Sequence, residues 1–387
     1  MGTLTLTKNQ ARNFLLFKQG LIGDYQFQGK PGVCDFVRRA GCIQYDPIDI
    51  CGKNAELVLQ SRVLGFTKDM LDQLLYQDRK LIDYFDKNMS IFSVDDWKYF
   101  SRFRDHFQRR GQSFDKVNSV ADEVKRIIAE RKFACSQDLH FKETVDWSWS
   151  PTTLSRAALE TLYFRGELII HHKKGAVKYY ALAGDFLGAS ILSAPDPHAS
   201  DEDFTKWQVL RRIGSVGLLW NKPSPAWLGV NGLKGGFRSA IFSTLLAENK
   251  MIECAVDGIA DKLYLRSEDE PVLQAVLSTP SFKKRLEFIA PLDNLMWDRE
   301  LIRKVFDFDY KWEIYTPSEQ RKYGYYVLPV LFGSQFVGRI EFVVDKKAKQ
   351  LHVQNFWKED AAEVDREFDE AFNTHLRQFA HFNHCMV

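Results

Sequence analysis

A chain of 387 residues exceeds what one hydrophobic core normally serves, so two to four domains are expected. Hydrophobic residues at 45% and charged residues at 27% exclude a disordered or fibrous class, and a formal net charge of +2 gives only a weak pull towards a polyanion. No apolar run approaches the roughly 18 residues of a membrane span, and the polar first ten residues lack a signal-peptide core.

In chain order, Thr7 and Gln10 form a capping box, and Ala11, Phe14 and Leu15 then share one helical face. Val33, Phe36, Val37 and Ala40 mark a second helix stopped by Gly41, and Leu71, Leu74 and Leu75 a later one. Residues 80–85 and 89–93 read as short paired strands. The pattern recurs. Ser150 and Pro151 predict an N-cap and first helical residue, Leu154, Ala157, Ala158 and Leu162 a buried stripe, and Gly166 a stop. Residues 167–171 and 177–182 then predict a hairpin around His172, Lys173, Lys174 and Gly175. A helix followed by a basic-tipped hairpin is the winged-helix pattern, whose helix can enter a major groove while the wing touches phosphates. A third copy runs over residues 203–266, with Ile241, Leu245 and Leu246 on a helix and a turn at Asp257 and Gly258.

Beyond Pro271, residues 313–316, 325–332, 336–344 and 350–353 are β-rich, with turns at Gly333 and Ser334 and at 345–349, and a helix closes over 361–380. The expected fold is α+β: winged helices at 1–95, 96–185 and 200–268, followed by a barrel-like β-rich domain at 275–387.

Basic residues concentrate in the middle of the chain: residues 97–178 hold 16 Lys/Arg against 10 Asp/Glu. Such a stretch is either a DNA-facing surface or a solvated face. Residues 359–370 carry seven acids and one Arg. The six cysteines are irregularly spaced and form no CxxC pair, which suits reduced thiols in a cytoplasmic protein. The nine histidines show no metal-ligand spacing, and no GxxxxGK loop occurs, so no metal or nucleotide cofactor is expected.

The short string Ile43-Gln44-Tyr45-Asp46-Pro47 carries the clearest chemistry. Pro47 disfavours helix at Asp46, and in an extended segment Gln44 and Asp46 point to one side and Tyr45 to the other. An amide beside a carboxylate suits glycosidic hydrolysis: the carboxylate activates a water or stabilises a cationic sugar, and the amide positions the water or sugar. A turn or capping role fits the same residues.

Together with Leu57-Val-Leu-Gln-Ser-Arg62 and Leu81-Ile-Asp-Tyr84, this region resembles the N-terminal part of the YcaQ/AlkZ family of winged-helix DNA glycosylases. Pro291-Leu-Asp-Asn-Leu-Met-Trp-Asp-Arg299, Phe308-Asp-Tyr310, Glu313-Ile-Tyr315 and Lys322-Tyr-Gly-Tyr-Tyr-Val-Leu-Pro329 extend the resemblance over nearly the whole chain. It implies a concave DNA channel, hydrolytic release of N7-alkylated purines and, in some members, unhooking of interstrand crosslinks. It also implies a Gln-hydrophobic-Asp catalytic pattern, matched by Gln44-Tyr45-Asp46, with Asp46 as base or cation stabiliser and Gln44 as positioner.

Arg156, Lys173, Lys174, Arg321 and Lys322 are candidate phosphate or DNA contacts, or else solvated side chains. Trp147 and Trp149 either stack on bases or pack into the core. The expected protein is a monomeric, monofunctional, metal-free DNA glycosylase acting on double-stranded DNA, nucleoid-associated if bacterial. The competing reading is a non-catalytic winged-helix DNA binder such as a transcription regulator.

Overall fold

The computed structural model describes residues 4–148, 150–360 and 365–387, and its architecture is mixed α+β. Two compact units emerge: Met1–Leu71 with Phe85–Ile91 and Asp201–Val387, and Asp72–Tyr84 with Phe92–Ser200.

In the first unit, helix Lys8–Lys18 starts at the expected capping box, with Thr7 Oγ1 accepting from Gln10 N at 3.1 Å and Gln10 Oε1 from Thr7 N at 2.8 Å. Its Ala11, Phe14 and Leu15 are fully buried. Helix Gly29–Ala40 buries Val33, Phe36 and Val37 and ends at Gly41, whose φ of +77° is a left-handed conformation that disfavours any side chain.

The sequence does not announce strand Leu4–Leu6. It pairs in parallel with Met251–Val256, extending a sheet ordered Leu4–Leu6, Met251–Val256, Ile259–Arg266, Leu219–Trp220. Helices Asp201–Val216 and Gly235–Ala247 precede that sheet's central hairpin, as the third repeat predicts.

The β-rich region departs from expectation. Strands Leu286–Phe288, Val327–Phe332, Gln335–Asp345 and Gln350–Lys358 form one antiparallel sheet in that spatial order. The two outer strands do not pair with each other among the described residues, so the sheet is open and no barrel closes. Helix Arg366–Phe382 removes the need for closure by covering apolar side chains of the sheet. Phe379 meets Phe288 at 5.2 Å and Phe342 at 4.9 Å, and Phe368 meets Phe332 at 5.5 Å, centroid to centroid. Residues 361–364 of the expected closing helix lie outside the described residues; Asp365 caps the helix by accepting from Phe368 N at 2.9 Å.

Residues 313–316 are not a strand. Glu313 instead turns its carboxylate onto the backbone of a loop, accepting from the N–H groups of Lys322 at 3.0 Å and Tyr323 at 2.9 Å.

The second unit gathers around Tyr84, whose ring lies 5.0 Å from Trp97, 5.5 Å from Tyr163 and 5.8 Å from Phe103. Helix Leu154–Phe164 buries Leu154, Ala157, Ala158 and Leu162 as predicted, and Gly166 at φ +74° follows its end. Its start differs. Thr152–Thr153 pairs as a strand with Thr144–Val145, and Thr153, not Ser150, caps the helix by accepting from Arg156 N at 3.4 Å. Pairing of the preceding residues outweighs the Ser-Pro cap signal. Strands Leu168–Lys174 and Val177–Leu182 then form the expected hairpin, in which His172, Lys173 and Lys174 belong to the strand and not to its turn.

Candidate active site around Gln44 and Asp46

The segment that leaves Gly41 runs extended. Ile43 and Gln44 pair antiparallel with Ile91 and Ser90, and Tyr45 N donates to Met89 O at 2.8 Å. The backbone is thus extended through Tyr45, the condition under which alternation would turn Gln44 and Asp46 to a common side. Ile43 and Gln44 are buried, and Tyr45 and Asp46 are half-buried.

Gln44 is 5% exposed. Its Oε1 accepts from Lys87 Nζ at 3.2 Å, while its Nε2 donates to no protein group among the described residues. The backbone beneath it is held by Asn54, whose Nδ2 donates to Gln44 O at 2.8 Å and whose Oδ1 accepts from Leu292 N at 3.0 Å. Asn294 Nδ2 donates to Cys42 O at 2.9 Å, and Arg62 pairs with Asp293 at 2.7 Å with both side chains fully buried. The strings around residues 41–47, 57–62 and 291–299 are thus one interlocked scaffold under the Gln44–Asp46 segment.

Asp46 is half-buried. Its Oδ1 accepts from Ile48 N at 3.0 Å, a local turn of the kind aspartate makes before proline, and Oδ2 accepts nothing from protein among the described residues. The turn reading is therefore correct for one oxygen, and the other remains available for chemistry. Burial raises the Asp46 carboxyl above its usual range, against the opposing pull of the Ile48 N–H. Its charge is felt by the buried Tyr326 phenol, which is pushed well up chiefly by burial and then by Cys51, Tyr310, Asp46 and Asp49.

Asp49, three residues on, behaves oppositely. Burial works against its charge, but Lys68 and Lys346 outweigh it and hold the carboxyl low. Two nearby carboxylates with divergent proton affinities are a common mark of divided roles in a site. Lys87, Asn54, Trp297 and Tyr326 are missed by local sequence reasoning. Trp297 and Tyr326 each lie inside one of the resemblance strings, which is the only signal that points to them.

The candidate DNA contacts scatter. Lys173 places its ammonium 2.6 Å from the buried Asp83 carboxylate, an internal ion pair, whereas the adjacent Lys174 is exposed and carries no ion pair among the described residues. Arg156 is exposed and pairs with Glu160 at 2.9 Å, one turn along its helix. Much of the basic stretch is similarly engaged, as in Lys125–Glu167 at 3.0 Å and Arg131–Asp138 at 3.0 Å. Arg321 donates to Thr316 O at 2.8 Å and lies over the Tyr325 ring, while Lys322 is exposed with its ammonium 5.0 Å from the Tyr323 ring centre. These last two stand on an irregular loop. Trp147 donates to Glu160 at 2.8 Å and packs parallel to Phe164, which favours its structural reading; Trp149 lies outside the described residues.

The model of the family described as DNA glycosylase AlkZ-like matches residues 37–382. The chain belongs to the AlkZ-like DNA glycosylase family. Among solved structures, the Streptomyces sahachiroi DNA glycosylase AlkZ is similar in fold, with a TM-score of 0.64 at 15% identity, covering 99% of this chain and 98% of that one. The family match takes in the whole Gln44–Asp46 segment together with the scaffold strings beneath it. Among the described residues no helix is long and apolar enough to cross a membrane.

Proposed function

We propose that the protein is a monofunctional DNA glycosylase that hydrolyses the N-glycosidic bond of N7-alkylated purines, with Asp46 as the catalytic carboxylate and Gln44 as the positioner. The observation that carries this reading is the pairing of two open valences on one extended segment: the free Oδ2 of Asp46 and the free Nε2 of Gln44. A regulator that only binds DNA has no use for that pair.

The chemistry needs little else. An N7-alkylpurine already carries positive charge, so it departs as a neutral base without a strong general acid. As the C1′–N9 bond breaks, its electron pair goes to the purine and the sugar becomes cationic. A water oxygen bonds to C1′, and the water's proton passes to Asp46 and then to solvent, leaving an abasic site and the free base. A raised proton affinity makes Asp46 a better base than an ordinary surface carboxylate.

Winged-helix units at residues 1–95, 96–185 and 200–268 would bind duplex DNA, with Lys174, Arg156, Lys322 and Arg321 as phosphate contacts. A base tethered to the opposite strand cannot enter a closed pocket, so action on crosslinks requires an open groove.

Single-turnover assays on duplex DNA carrying one N7-methylguanine test the proposal. Base release by the monomeric protein without added metal is the expected result. Tight binding without release, both on this duplex and on a mustard-type crosslinked one, would return the protein to the non-catalytic class.

A further inference from the structure

Lys87 is a buried cation that the hydrolysis above does not use. It follows the strand Leu81–Asp86 and is 5% exposed. Its ammonium lies 3.2 Å from Gln44 Oε1 and 5.0 Å from the centre of the Trp297 ring, and it has no carboxylate ion pair among the described residues. Burying a lysine without an acid partner is costly, so the position calls for an explanation.

Gln44 provides one. A side-chain amide has an accepting end and a donating end, and which end faces a substrate depends on what holds the other. A protonated lysine has three donors and no acceptor, so it can bond only to the carbonyl end. Lys87 therefore turns Gln44 Oε1 inward and leaves Nε2 outward. That orientation matches DNA: the phosphodiester and the deoxyribose ring of an internal nucleotide present only acceptors. A flipped amide would set its carbonyl against them and its NH2 against the lysine.

We propose that Lys87 is a positioning residue that locks the Gln44 amide with its NH2 towards the sugar–phosphate of the lesion nucleotide, and that this lock requires the lysine to be protonated. The inference rests on the glycosylase reading above. It extends that reading by making activity sensitive to a second titrating group. The groups around the ammonium decide where it titrates. Burial lowers it most, the Arg212 and Arg299 guanidiniums lower it further, and Cys42 and Asp86 oppose them, leaving Lys87 at about 8. A neutral amine has a lone pair and can face either end of the amide, so the lock loosens as pH rises through that value.

The experiment is single-turnover release of N7-methylguanine between pH 6 and 9, corrected for spontaneous depurination, for wild type, Lys87→Arg and Lys87→Met. DNA affinity and thermal melts are measured alongside. Wild type is expected to lose rate above about pH 8, following the lysine. Lys87→Arg, a donor at every pH, is expected to keep the neutral-pH rate within roughly fivefold and to lose the alkaline fall. Lys87→Met is expected to lose roughly tenfold or more in rate with DNA affinity unchanged, because a small misplacement of a positioning group is costly. If Lys87→Met fails to fold, the arginine variant decides alone. An alkaline fall that persists in Lys87→Arg overturns the inference, as does a methionine variant with the wild-type rate and profile. Wild type that binds but releases no base, from this duplex and from a mustard-type crosslinked one alike, overturns the glycosylase reading and this inference together.

Discussion

Asp46 and Asp86 are two carboxylates of the same compact unit, and their surroundings assign them opposite work. Asp86 is saturated: Arg211 Nε donates at 2.6 Å and Arg212 Nη2 at 2.9 Å, and the backbone beyond is so close that a side chain at Gly229 would strike the Asp86 carbonyl. Burial alone would push Asp86 up, but Arg212 and Arg211 outweigh it and hold the carboxyl at about 2. Asp46 has one backbone N–H, an open oxygen and a carboxyl that burial raises. A carboxylate locked by two guanidiniums organises structure, whereas one left short of partners is ready for a water or a cation.

The largest expected effect comes from removing the saturated member. Asp86→Ala takes the shared carboxylate from two buried guanidiniums and should cost about 3–5 kcal/mol in urea unfolding. A melt equal to wild type would show that Asp86 is not the structural anchor its geometry suggests. The comparison repeats among the lysines. Lys173→Met breaks the buried pair with Asp83, where the Tyr76 hydroxyl still donates at 2.9 Å, and should cost about 1–3 kcal/mol with little change in the salt dependence of DNA binding. Lys174→Met should do the reverse, leaving stability intact and reducing the salt slope of binding by about 1. Equal effects of the two variants on DNA binding would erase the distinction between paired and free cations.

Proton linkage sharpens the contrast without mutation. Asp86 is depressed on folding, so its contribution to stability is present above the ordinary carboxyl value of about 3.9 and is lost as pH falls towards about 2. Asp46 is raised, so base release should climb with pH as it ionises, with a midpoint above about 3.9. Denaturation and pH–rate curves on the same preparation separate the two. Coincident midpoints would mean that the rate merely reports unfolding.

The elements legible in the sequence are those whose signals are local. The Thr7 capping box, the Gly41 stop and the Leu154–Leu162 stripe each need only a few neighbouring residues, and all appear in the structure. Strands Leu4–Leu6 and Leu286–Phe288 escape because what makes them strands is a partner far along the chain: Cys254 for Leu4 and Phe332 for Leu286. The open sheet escapes similarly, since closure turns on how helix Arg366–Phe382 packs, not on the alternation of any strand. At the candidate site, Pro47 and period-two alternation draw attention to Gln44 and Asp46 but fit a turn equally, and it is the family resemblance that points to catalysis. Lys87 is 43 residues from the amide it holds, and no local pattern marks it.

The most direct test of the central claim compares Asp46→Asn with wild type for both thermal melting and single-turnover release of N7-methylguanine. The substitution keeps shape and the turn-accepting oxygen but removes the charge. Release falling by roughly 10²-fold or more, with the melt and DNA affinity preserved, is the expected result. An Asp46→Asn variant that releases base at the wild-type rate would contradict the assignment and reduce Asp46 to the residue that turns the chain at Pro47.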